Sequence, residues 1–288
     1  MQKKKLEEMN LLDDFLFFKL LGNDVIGEEF GRYLLEIIFD RKFGRLKVTA
    51  QKIFYGQDSD KHGIRLDVYM EETIDSETLL NESAIYDIEP EAMEKKDKKD
   101  TLPRRVRFYH STIDVNSLAA GADYSSLKKV IVVMIMPFDP FGYDQMVYTI
   151  QNTCLEVPEL PYDDGAKTMF LYTRGTQGNP STRLKELLHY MEETKAENVK
   201  NEELRAIHNL VRIVKRDPEV AEAYMKWVEI RNNLIEQGIE QGIEQGIERG
   251  KYLEFGNHVR RLVDIGKTKE EIAFLLGKNI SEVEAVLE

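Results

Sequence analysis

Asp67 lies between Leu66 and Val68, and Glu89 follows Ile88. A carboxylate set into an apolar stretch is costly in a strand that has only to fold. The segment 84–91, AIYDIEPE, spaces Asp87, Glu89 and Glu91 two residues apart, so on an extended strand the three side chains share one face. Pairing with the strand of Asp67 would bring carboxylates from both strands within reach of one ion. Gathered carboxylates repel unless a cation joins them, and hard oxygen donors select Mg²⁺ or Mn²⁺. Such an ion polarises a phosphoryl oxygen and lowers the pKa of an attacking water. The plainer alternative is an acidic, exposed face of an edge hairpin, and spacing alone leaves both open. Other chemistries find little support. His62 sits beside Gly63 in a pre-strand turn, and the remaining histidines are scattered. Cys154 is the only cysteine, which excludes an internal disulfide and a cysteine-based zinc site. Neither G-x-x-x-x-G-K-[ST] nor G-x-G-x-x-G occurs, so a nucleotide-hydrolysing motor is not supported.

The strands that would carry these acids read clearly. GIRLDVYM (63–70) and AIYDIE (84–89) alternate apolar with polar and are rich in β-branched and aromatic residues. The polar TIDSETLLNES between them predicts a hairpin loop. Upstream, Leu12, Phe15, Leu16 and Leu20, then Phe30, Leu34, Ile37 and Ile38, recur every three to four residues. They predict a helix interrupted near Gly22-Asn23, with Asp13 or Asp14 at its N-terminus. Downstream, Pro103 opens and Gly121 closes a helical stretch, and Val130–Met136 is an apolar run typical of a strand covered on both faces. Gln145–Ile150 and Thr168–Tyr172 predict two more strands, separated by the loop around Val157–Pro161. After Arg174 the linker GTQGNPS leads into charged, helix-periodic sequence from Thr182 to Ile235, in which Tyr224 and Trp227 read as packing residues.

Four regions are therefore expected: an α/β domain over 1–175, a helical region over 176–235, a four-residue repeat over 236–250 and a small helical tail over 251–288. The repeat, QGIEQGIEQGIERG, places four glycines in a sequence that suits a frayed helix or a partner-dependent coil. Its ridge of Ile239, Ile243 and Ile247 needs a cover, which predicts a homodimer through the tail. In the tail, Thr268 with Glu271 forms a capping-box pattern. The final SEVEAVLE is acidic and would be repelled by phosphate, which favours a packing or oligomerisation unit over a helix-turn-helix.

A chain of 288 residues with 42% apolar and 32% charged residues has material for a sizeable core. Its longest apolar stretch is far short of the ~18 residues that cross a bilayer, so no membrane span is expected. MQKKKLEEMN lacks an apolar segment, and with the single cysteine this points to the reducing cytoplasm. Forty basic against 52 acidic residues give −12, which argues against a non-specific nucleic-acid coat protein. Met93–His110 departs from that balance, with seven Lys/Arg against three Asp/Glu.

The order of helix, strand with Asp, strand with Glu, basic helix and covered strand resembles the PD-(D/E)XK nuclease superfamily. Within it the chain is similar to the recombination-promoting nuclease/transposase (Rpn) family. The stretches that carry the likeness are LLDDFLFFKLL (11–21), HGIRLDVYMEE (62–72), YDIEPE (86–91), RRVRFYHSTIDVNSLAAGADYSSLKKV (104–130) and MPFDPFG (136–142), followed by the glycine-repeat tail. The resemblance implies an α/β fold with a restriction-endonuclease-like core, a mixed sheet flanked by helices, before an all-α C-terminal region. It also implies metal-dependent endonucleolytic hydrolysis of DNA, associated with recombination or mobile elements. Asp67 matches the metal-binding aspartate, Glu89 the metal-binding glutamate, the Pro90 carbonyl the backbone ligand, and Asp14 the acid of the first helix. Glu91 departs from the pattern, standing where the superfamily usually has Lys and this family usually has Gln. A carboxylate there cannot donate a hydrogen bond, although it could accept a proton or bind a second metal. Arg104, Arg105 and Arg107 would then lie near phosphates flanking the cleaved one, with Lys95, Lys96, Lys98 and Lys99 as a basic approach. The Pro90-Glu91 departure also motivates an alternative, a catalytically weakened nuclease fold acting as a DNA- or protein-binding module.

Overall fold

The computed structural model describes residues 4–54, 64–72, 83–91 and 100–287, without the side chains of Ile64 and Arg65. Two helices come first, α1 (Asp14–Leu21) and α2 (Gly27–Phe39), then strands β1 (Leu46–Phe54), β2 (Ile64–Glu72) and β3 (Ala84–Pro90). Helix α3 (Leu102–Ser117) leads to β4 (Lys129–Met136), β5 (Val147–Ile150) and β6 (Ala166–Tyr172). Five helices follow: α4 (Thr182–Glu192), α5 (Glu202–Arg216), α6 (Pro218–Asp264), α7 (Lys269–Leu276) and α8 (Ile280–Leu287). The expected α/β class is found, as a six-stranded mixed sheet in the order β1-β2-β3-β4-β6-β5. Strands β1, β2 and β3 pair antiparallel; β4 is parallel to β3 and β6, and β5 returns antiparallel to β6. The parallel β3–β4 step needs a crossover, and α3 supplies it.

The break near Gly22-Asn23 lies between α1 and α2. Asn23 Oδ1 accepts from the N–H groups of Val25 and Ile26. A Cβ at Gly27 would lie 2.3 Å from the Leu21 carbonyl oxygen, so only glycine permits the turn. Strand β4 is buried from Val130 to Met136, as its apolar run requires. The predicted hairpin loop falls mostly on residues outside those described. Strand β1 was not foreseen.

The two faces of the sheet are covered differently. Alternation sends Met70 and Tyr86 toward α1 and α2, where Met70 and Val48 approach Gly31 and the Tyr86 ring meets Phe39 at 5.1 Å between centroids. Tyr69 and Ile85 face the other way and share a core with Leu102, Val106 and Ile113 of α3.

The chain forms two compact units, Met1–Glu222 and Ala223–Glu288. The change from strands to helices near residue 175 thus lies inside the first unit. Helices α4 and α5 are tied there to the N-terminal segment. The Leu11 N–H donates to Thr194 Oγ1 at 2.8 Å, and Lys215 Nζ donates to the carbonyls of Glu7 and Met9 at 3.0 and 2.6 Å. Helix α6 passes through the whole repeat without a break, where a frayed segment was one expectation. In the second unit α7 and α8 pack on the end of α6 through Val259, Ile272, Ala273, Val283 and Val286. Thr268 and Glu271 make the capping box at the start of α7. Among the described residues no helix is long and apolar enough to cross a membrane.

Candidate carboxylate site

Asp67 sits on β2, and Asp87 and Glu89 on β3. The β2–β3 ladder ends with the pair Tyr69 and Asp87, and two residues beyond it the Asp67 backbone meets the Glu89 side chain. On its other side Asp67 faces an unpaired position in β1, with no change of register. The ladder runs from Ala50↔Val68 to Lys52↔Leu66, and Gln51 between them has a left-handed φ of 54°. The Asp67 N–H points toward β3 and donates to Glu89 Oε1 at 2.8 Å. The backbone of one predicted acid thereby holds the carboxylate of the other.

Strand β3 is buried along its length, and this decides the electrostatics. Asp87 is fully buried, and neither of its oxygens has a donor among the described residues. Its pKa is pushed well above the usual carboxylate range, first by desolvation, then by the negative charges of Glu89 and Asp67. Burial pushes Glu89 up to about 7, against the Asp67 N–H and the Arg105 charge, which pull it down. Two carboxyl groups this close bond to each other only when one keeps its proton, so the pair titrates as a unit.

Helix α3 supplies the opposing charge. Leu102, Val106 and Ile113 form its buried stripe, and helical spacing brings Arg105 and Tyr109 to the same side. Arg105 Nη2 donates to Glu91 Oε2 at 2.8 Å, with both side chains about a fifth exposed. The Arg105 Nε is buried and has no acceptor among the described residues. The guanidinium lies 5.8 Å from the centre of the Tyr109 ring. Burial, then the Glu89 carboxylate, raises the Tyr109 hydroxyl, so it stays protonated at neutral pH.

The missing N–H of Pro90 is accommodated by strand alternation. The Glu91 N–H donates to the Ile135 carbonyl at 2.8 Å, continuing the pairing with β4, so the backbone of Pro90 turns toward β2. Among described residues, the β2–β3 ladder extends only to Tyr69↔Asp87 on that side.

Asp67, Glu89 and Glu91 are thus gathered at one end of β2 and β3. Asp14 is exposed in the first turn of α1, in the helical layer on the opposite face of the sheet, and the interactions above do not include it. Arg104 and Arg107 are exposed on α3. Arg105 differs from its two neighbours: it lies half-buried on the inner side of its helix and is ion-paired with Glu91. Lys95, Lys96, Lys98 and Lys99 lie outside the described residues. Tyr109 was not anticipated, though its place in the Leu102–Val106–Ile113 periodicity is a signal that finds it. Asp87 was placed on the right face, but its complete burial was not foreseen. Among the described residues no three Asp, Glu, His or Cys side chains are arranged to hold a metal ion.

What fold and site together define is an α/β protein with a buried acidic cluster at the end of two paired strands, faced by one helix. In comparisons with known proteins, no family model, no curated protein and no solved structure matches the chain.

Proposed function

We propose that this protein is a Mg²⁺- or Mn²⁺-dependent DNA endonuclease of the PD-(D/E)XK type, similar to the Rpn family, acting in the cytoplasm. The observation that carries the reading is the hydrogen bond from the Asp67 N–H to Glu89 beside Asp87, whose two buried oxygens have no donor among the described residues. A buried carboxylate without donors calls for a proton or a cation. The donors are hard oxygens, which suits Mg²⁺ or Mn²⁺. Asp67, Glu89 and the Pro90 carbonyl would hold the ion. When bound, it supplies Lewis-acid activation of a phosphoryl oxygen and of water. Glu91, ion-paired with Arg105, would accept a proton, and the exposed Arg104 and Arg107 would meet flanking phosphates. The test is nicking of supercoiled plasmid by the full chain with Mg²⁺ or Mn²⁺. The expected result is cleavage that EDTA and Asp67→Ala both abolish; full activity in Asp67→Ala would remove the proposed site.

The Glu91–Arg105 ion pair favours one second reading, a weakened nuclease fold that binds DNA or protein without cutting. Glu91→Gln raises cleavage if the site is merely impaired. Absence of cleavage in both forms, with DNA binding retained, would favour the module. A homodimer through the tail agrees with the exposure of Ile239, Ile243 and Ile247, each more than half exposed. Truncation at Asn232 should then give particles with the sedimentation mass of one shortened chain rather than two.

A further inference from the structure

We infer that Arg105 is the residue that receives the phosphate to be cleaved, with Glu91 serving to hold it in place; this rests on the phosphodiester-cleaving reading above. The acidic cluster has a chemical deficit. Asp67, Asp87, Glu89 and Glu91 provide acceptors and negative charge, whereas a phosphodiester is an anion whose oxygens need donors. The strand position that could have carried a donor holds Glu91 instead. A guanidinium reaches that position from the facing helix, 2.8 Å from the Glu91 carboxylate.

Three features distinguish this arrangement from an ordinary surface ion pair. Both partners are about a fifth exposed, so the charge is not simply solvated. The positive charge acts on Asp87 and Glu89 as well as on Glu91, which places it within the acidic cluster. Finally, Nη2 donates to Glu91, and the neighbouring Nε–H is buried without an acceptor among the described residues. Nε and Nη2 share one edge of the planar guanidinium, the edge that pairs with two oxygens of a carboxylate or phosphate. Half of that edge is held by Glu91, and the other half is a donor left for an oxygen the described residues do not supply. A phosphate oxygen there would satisfy it, while Glu91 keeps the long side chain from collapsing onto Asp87 and Glu89.

A purely structural Arg105 would neutralise Glu91 and do nothing more, and the two roles separate experimentally. The full chain and its Arg105→Gln, Arg105→Lys and Glu91→Lys/Arg105→Gln variants are compared, with folding checked by circular dichroism. Duplex DNA binding is measured by fluorescence anisotropy in Ca²⁺ over a salt series, and single-turnover cleavage in Mn²⁺. The expected results for Arg105→Gln are a cleavage rate lower by about a hundredfold and a salt slope smaller by about one. Arg105→Lys recovers part of both, and the double variant, which returns a cation from the strand, cleaves at least about tenfold faster than Arg105→Gln. Should Arg105→Gln fail to fold, Arg105→Lys and the double variant carry the same comparison. Wild-type cleavage with Arg105→Gln unchanged, or a folded double variant without recovery, overturns the assignment and leaves the nuclease reading intact. DNA binding that depends on Arg105 without cleavage by the wild type upholds the phosphate contact and overturns the nuclease reading. Neither binding nor cleavage by the wild type overturns both.

Discussion

Replacing Asp87 by asparagine should stabilise the metal-free protein, by an amount that depends on pH. Asp87 is fully buried without a donor among the described residues, and its neighbour Glu89 is raised from 4.5 to about 7. At ~1.4 kcal/mol per pH unit, the rise in Glu89 alone corresponds to roughly 3 kcal/mol. The folded chain binds this proton more tightly than the unfolded chain. The associated stability is therefore fully present below about pH 4.5 and is lost as pH rises through about 7. The Asp87→Asn substitution leaves the burial of Glu89 in place but removes the Asp87 carboxyl, which burial holds well above the usual carboxylate range, and with it that group's own penalty at high pH. The expected gain over wild type is about 2 to 3 kcal/mol at pH 8, falling below about 1 kcal/mol at pH 5. Urea unfolding followed by near-UV circular dichroism of the tyrosines measures it, since Tyr69, Tyr86 and Tyr190 are all buried in the first unit. An equal difference at both pH values, or a less stable variant at pH 8, would refute the account of this pair.

Other substitutions have expected outcomes of known sign. Arg41 donates to buried Glu72 through Nη1 and Nη2, at 3.1 and 2.6 Å, and Nη2 also reaches Tyr86 Oη at 2.6 Å. Because its side chain is a third exposed, Arg41→Ala should cost about 2 kcal/mol rather than the full penalty of a stranded buried charge; a shift in thermal midpoint corresponding to under about 0.5 kcal/mol would contradict this. Gly27→Ala, whose Cβ would strike the Leu21 carbonyl, should destabilise by at least about 2 kcal/mol in urea titration. Gly246→Ala adds its methyl in open space within α6 and should raise helix stability by up to about 1 kcal/mol, read as a higher melting temperature at 222 nm; a loss there would mean the glycine is needed for a close approach.

What the sequence made legible was set by how locally each feature is determined. Val130–Met136 announces a buried strand because burial on both faces leaves an unbroken apolar run. Strand β1 announces nothing: LKVTAQKIF lies at the edge of the sheet, is mostly half-exposed, and breaks its alternation at the left-handed Gln51. The periodicity of α4 and α5 was readable, but their place in the first unit depends on partners about 180 to 210 residues away, among them Leu11 with Thr194 and Glu7 with Lys215. Arg105 was concealed by its neighbours. Arg104 and Arg107 are solvated, and only the Leu102–Val106–Ile113 stripe shows that the arginine between them turns inward. Asp67 and Glu89 stood out because each interrupts an apolar context, whereas the hydrogen bond from the Asp67 N–H to the Glu89 side chain is a matter of backbone geometry.

The most direct measurement of the central claim, that these carboxylates are gathered for a cation, is calorimetric titration of Mn²⁺ into the full chain at pH 7.5. Saturable binding is expected, with release of protons from the Asp87–Glu89 pair and loss in both Asp67→Ala and Glu89→Ala. Absence of binding by the wild type, or binding unchanged in those two variants, would contradict it.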